Sequence, residues 1–163
     1  MTTMNNEVQK PDDATLILRR MLNATPERAF RAWTSPEHIK QWMQPEPGMV
    51  VPLASMDLRV GGKFRIQMKT PDGEFFTAVG EFREVKPPTR LVYTWDWEKD
   101  GCGEEFGEVE GKPSLITIEF LKRGEQTEFV LTHSRFATVE SRDNHARGWS
   151  RAADNFATFV EKE

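Results

Sequence analysis

An α+β fold, with an antiparallel sheet of about six strands, a long C-terminal helix and two short helices after the first strand, is predicted by three features of this 163-residue chain. Apolar and polar side chains alternate with a period of two through most of residues 50–136, the pattern of half-buried strands. Turn dipeptides separate those runs without room for a helical crossover, so neighbouring strands run antiparallel. The final stretch, HARGWSRAADNFATFVEKE, changes period. At 100° per residue, Gly148, Phe159, Ala152, His145, Phe156, Trp149, Val160, Ala153 and Ala146 fall on one arc.

In chain order, residues 1–13 read as a flexible polar tail and residues 14–163 as one domain, which begins with the strand TLILRRML. Thr25-Pro26-Glu27 and Ser35-Pro36-Glu37 each supply a capping hydroxyl, a proline at the first helical position and an acid in the positive first turn. Short helices over about 26–33 and 36–43 follow from this, the second closed by Pro45 and Pro47. MVVPLASMDLR and KFRIQMK form a hairpin about Gly61-Gly62, with Phe64, Ile66 and Met68 on one face. Asp72-Gly73 turns the chain into FFTAVGEFREV, and Pro87-Pro88 turns it into RLVYTWDWE, where Leu91, Tyr93, Trp95 and Trp97 share a face. SLITIEFLK sets Ile116, Ile118 and Phe120 together, and TEFVLTHSRF does the same for Phe129, Leu131 and His133.

A sheet with one apolar face needs a cover, and the amphipathic terminal helix is the element able to provide it. Its own apolar arc is notched, because Trp149, Phe156 and Phe159 alternate with Gly148 and Ala152. Glycine costs about 1 kcal/mol against alanine inside a helix, so Gly148 requires a reason. Either a neighbouring backbone approaches closely there, or the missing side chains leave a hollow for a ligand, and local sequence leaves both open. The walls of such a hollow would be Phe64, Ile66, Tyr93, Trp95, Ile118, Phe120, Leu131 and His133 on the sheet, with His145, Gly148, Trp149, Ala152 and Phe156 on the helix. The same residue types would also build a plain core.

Charge and composition exclude several classes. The net charge of -4, without a basic stripe, argues against nucleic acid as a partner. No apolar run has membrane-spanning length, and the opening MTTMNNEVQKPDD lacks the apolar stretch of a signal peptide. A lone Cys102 rules out an internal disulfide and fits the reducing cytoplasm. His38, His133 and His145 are dispersed, with no carboxylate at ligand spacing, so neither a metal nor a cofactor is expected.

Individual polar residues admit two readings each. His145 is either a hydrogen-bond handle in the cavity or a packing residue at its mouth, while His38, among charged neighbours, reads as solvated. Asp57, ahead of Arg59, Gly61 and Gly62, is either a general base or an ion-pair partner in a hairpin. Residues 98–112 carry four glycines and six acids and read as a solvated loop or a lid with Phe106 as its plug. No pattern fixes a catalytic residue.

Taken in order, NATPERAFRAWTSPEHIKQWMQP, MDLRVGGKF, TPDG, GEFREVKPPTRLVYTW, TEFVLTHSRF and HARGW resemble the activator of heat-shock-protein-90 ATPase homologue family, within the SRPBCC (START-like) superfamily. The similarity runs over about residues 15–161. It implies a helix-grip fold, in which the sheet wraps around the long C-terminal helix, and a hydrophobic cavity for lipids, polyketides or other aromatic small molecules. The partner it implies is a small hydrophobic molecule; a chaperone, with a role in stress response, is the alternative. Cyclase- or hydrolase-type chemistry in the same cavity is a third possibility, since some superfamily members are enzymes.

Overall fold

Hydroxyl caps start every helix of the computed structural model, which describes residues 5–98 and 113–162. The Thr25 side chain accepts from the Arg28 amide at the head of α1 (Pro26–Thr34), and Ser35 accepts from His38 at the head of α2 (Pro36–Trp42). Thr138 plays the same part for α3 (Val139–Val160), accepting from the Ser141 amide at 3.0 Å with Glu140 in the first turn. The terminal helix therefore begins six residues before His145, which lies nearly two turns inside it rather than near its N-terminus.

The strands are β1 (Glu7–Asp12), β2 (Thr15–Leu22), β3 (Val50–Met56), β4 (Lys63–Lys69), β5 (Phe75–Lys86), β6 (Arg90–Trp97), β7 (Ser114–Arg123) and β8 (Gln126–Ser134). They form one antiparallel sheet in the order β1-β2-β8-β7-β6-β5-β4-β3. Eight strands replace the expected six or so, and the one with no counterpart in the sequence reading is β1. It falls within residues 1–13, expected to be a flexible tail. All six of its residues are exposed, so it carries no apolar alternation to reveal it; it is held by backbone pairing to β2 and by the Lys10–Asp143 ion pair. Pro11 is tolerated because the strand is an edge.

Inward residues of the sheet pack in rows set by the register. Phe64 lies opposite Gly80, where a Cβ would sit 2.5 Å from the Phe64 ring and 1.9 Å from the Thr94 carbonyl oxygen. Only glycine lets β5 pass there. On the other side of the sheet centre, Trp33 of α1 fills the space between sheet and α3. Its ring centroid is 5.3 Å from that of Phe129, 5.0 Å from Phe156 and 4.6 Å from Trp42. Arg28 clamps the far end of α3 by donating to the Val160 carbonyl. The core is thus densely aromatic along α3, with Trp33, Trp42 and Phe129 around Phe156 and with Trp95, Trp97 and Phe136 around His145 and Trp149.

Candidate ligand pocket

The space left open lies where α3 is notched. Gly148 and Ala152 present almost no side chain, and the chain following α2 crosses above them, so that an added Gly148 Cβ would sit 3.2 Å from Pro45 Cβ. Both readings of Gly148 hold in part: a neighbour does come close, although it is a proline side chain rather than a backbone, and a hollow adjoins it. That pocket measures about 270 Å³, near the lower end of small-molecule sites at roughly 300–1,000 Å³. Its walls come from four places. Met43, Pro45, Glu46 and Met49 belong to the segment after α2; Met68 and Phe76 are paired across β4 and β5; Trp95 and Trp97 project from β6; and Asn144, His145, Arg147, Gly148, Trp149 and Ala152 line it from α3.

Of the residues expected at the cavity, Trp95, His145, Gly148, Trp149 and Ala152 come together here. Phe64, Ile66 and Tyr93 do not reach it and instead line a separate inner chamber of about 20 Å³. Ile118, Phe120, Leu131, His133 and Phe156 are buried in the core and line neither space. The physical reason is Trp33, whose indole occupies the volume that a bare sheet and helix would have left open. The sequence reading had missed Met43, Met49, Met68 and Phe76. Their apolar character was visible, but the path of the segment after α2, which turns Met43 and Met49 toward the helix notch, has no periodic signal.

Two histidines brace this wall. His133 Nδ1 accepts from the Trp149 indole N–H at 3.0 Å, and its Nε2 lies 2.7 Å from Ser114 Oγ. Ser114 Oγ donates in turn to the Trp95 carbonyl at 3.0 Å. Accepting at Nδ1 leaves Nε2 as the donor, so the ring is the neutral Nε2–H tautomer. Complete burial pushes its pKa well below the usual value, with the neighbouring His145 adding to the effect. His145 is arranged the other way round. Its Nδ1 donates to the Ser141 carbonyl at 2.8 Å and its Nε2 accepts from the Trp97 indole at 3.2 Å. Burial lowers its pKa to about 4, a shift opposed by the bond to Ser141. With both nitrogens engaged, His145 holds the Trp97 indole in place and has no free lone pair for proton abstraction.

Elsewhere, Asp57 pairs with the Arg59 guanidinium at 2.8 Å on an exposed turn, far from general-base surroundings. His38 is half-buried against Phe159, ring centroids 5.0 Å apart, which corrects its expected solvation. Phe106 and Cys102, with most of the 98–112 loop, lie outside the described residues. Among the described residues no group of His, Cys, Asp or Glu is placed to hold a metal ion, and no helix is long and apolar enough to cross a membrane.

A family model for Activator of Hsp90 ATPase homolog 1-like proteins matches residues 23–161. No curated protein matches the chain at a significant level. Among solved structures, protein CV1439 from Chromobacterium violaceum has a TM-score of 0.81 at 24% identity, over 93% of this chain and 100% of that one. A protein from Rhodobacter sphaeroides gives 0.77 at 22% identity, over 94% and 96%. The AHSA1-like protein from Aeromonas hydrophila gives 0.70 at 23% identity, over 89% and 92%. At these identities the likeness is one of fold.

Proposed function

We propose that this chain, which belongs to the Activator of Hsp90 ATPase homolog 1-like family, binds a small apolar, aromatic-containing molecule between α3 and the β4–β6 side of its helix-grip sheet. The observation that carries this reading is the character of the pocket wall. Thioethers and indoles make up its body, the His145 imidazole is neutral and already hydrogen-bonded, and Glu46, Asn144 and Arg147 are the polar side chains among its lining. A wall of this kind favours a flat apolar body, and its one histidine has both ring nitrogens engaged, which supports binding over histidine-based catalysis.

Gly148→Leu supplies the test, with N-phenyl-1-naphthylamine as the fluorescent probe. Wild-type protein should enhance its emission saturably, and the added isobutyl group should weaken binding by about tenfold or more, equivalent to about 1.4 kcal/mol. Unchanged affinity in a folded Gly148→Leu protein would show that the pocket is not where the probe sits. No saturable binding to the wild type would remove the reading altogether.

A second reading, a chaperone accessory role, draws on one observation. Val50, Leu53 and Phe75 are exposed, and the register sets Val50 and Phe75 on either side of Lys69 and Leu53 beside Gln67, on the outward face. If that role holds, purified Hsp90 should hydrolyse ATP faster with the wild-type chain, and the Leu53→Ser, Phe75→Ser double variant should lose the effect. No stimulation by the wild type sinks it.

A further inference from the structure

Behind the main pocket, Met43 and Trp95 also form part of the wall of the inner chamber, so the two spaces share a partition. The chamber's volume of about 20 Å³ suits a single water-sized group, which needs roughly 10–15 Å³. Its lining is apolar apart from three indoles and a phenol, with the thioethers of Met43 and Met56 among the apolar groups. Two of those donors are satisfied: Trp42 Nε1 donates to the Ala32 carbonyl at 3.0 Å, and Trp33 Nε1 donates to Tyr93 Oη at 3.1 Å. Two are not. Trp95 Nε1 is buried with no hydrogen-bond partner, and no described residue accepts the proton of the Tyr93 hydroxyl. Burial raises the Tyr93 pKa, which keeps that proton in place.

Tyr93 and Trp95 are neighbours on the inward face of β6. An indole N–H can only donate, and leaving buried donors unpaired is costly. Both donors belong to residues that line the chamber, and the group that complements them is one that accepts. A hydroxyl or amine would bring a further proton, for which the chamber offers only the Tyr93 oxygen, already accepting from Trp33, and weakly accepting thioether sulfurs.

We propose that the ligand carries a carbonyl oxygen at one end of its apolar body, and that this oxygen passes Met43 into the inner chamber to accept from Trp95 Nε1 and Tyr93 Oη. This deepens the binding reading above and rests on it. Met43 is suited to the position, since an unbranched thioether can shift without leaving a fixed gap. The aromatic body stays in the larger space against Trp95 and Trp97.

Two competitors of the same shape test the idea, 2-acetylnaphthalene and 2-isopropenylnaphthalene, in which a carbonyl oxygen is exchanged for a methylene. In displacement of N-phenyl-1-naphthylamine from the wild-type protein, the ketone should be effective at about tenfold lower concentration than the alkene. The Trp95 indole N–H resonance should move downfield with the ketone and not with the alkene. Tyr93→Phe should narrow the ratio between the two competitors. Equal displacement by both, or a Trp95 resonance that saturating ketone leaves in place, would overturn the inference and assign the chamber to water alone, while the binding reading would stand. If N-phenyl-1-naphthylamine does not bind the wild type at all, both fall together.

Discussion

At His133 and His145, burial favours the neutral imidazole, and at His145 it outweighs the bond to the Ser141 carbonyl, which favours the charged form. Below an unfolded pKa of 6.5 the unfolded chain takes up protons that the folded protein refuses, so stability is full above that value and declines as the pH falls. For His145 the decline continues to about pH 4, and His133, held well below its usual value, acts in the same direction. Each histidine contributes a slope of up to about 1.4 kcal/mol per pH unit. Glu84, Glu98 and Asp143 are held below their ordinary values by Arg90, Arg65 and Lys10 respectively, and they act in the same direction only under about pH 4.5. The interval from pH 6.5 to 5 therefore belongs to the histidines. Urea midpoints should fall across it, and His145→Gln should flatten the fall whatever it does to the midpoint at pH 7. A wild-type midpoint that does not change over that interval would mean that the rings are not held neutral.

Among the elements, α3 carries both the cover of the sheet and one wall of the pocket, and its first turn hangs on Thr138. Thr138→Ala should cost about 1 kcal/mol, within a range of roughly 0.5–2, measurable by thermal melting. A loss within error would show that water replaces the cap without penalty. The signals for this start were present in the sequence, since Thr138-Val139-Glu140 repeats the pattern of Thr25-Pro26-Glu27 with valine for proline. The missing proline explains why the helix was read from His145 onward. Strand β1 was illegible for a different reason: a strand that buries none of its side chains has nothing to alternate. The strands that bury one face were legible for the converse reason, as with Phe64, Ile66 and Met68 of β4.

For the whole molecule, the antiparallel sheet and its helical cover could be inferred because the terminal helix had only one large apolar surface to lie against. The extent of the cavity could not. Phe120, Phe156 and Leu131 look the same in sequence whether they face a hollow or a neighbour, and what decides between these is Trp33, which arrives from a separate helix. Gly148 marks the end of α3 beside which the pocket lies, because absence of a side chain is a local signal. The chamber behind Trp95 left no such mark, since an unpaired indole donor exists only once every potential acceptor has been placed.

An open sheet also ends somewhere, and here it ends at β1 and β3. The β3 border carries Val50 and Leu53 exposed, the kind of strip on which identical copies can stack into fibres. Pro52 lies between them, with no amide hydrogen to give, and the pairing with β4 slips between Val50 and Leu53. A second copy laid along this border would meet a proline and a slipped register in mid-strand, features that disfavour growth by strand addition where the apolar surface would most encourage it.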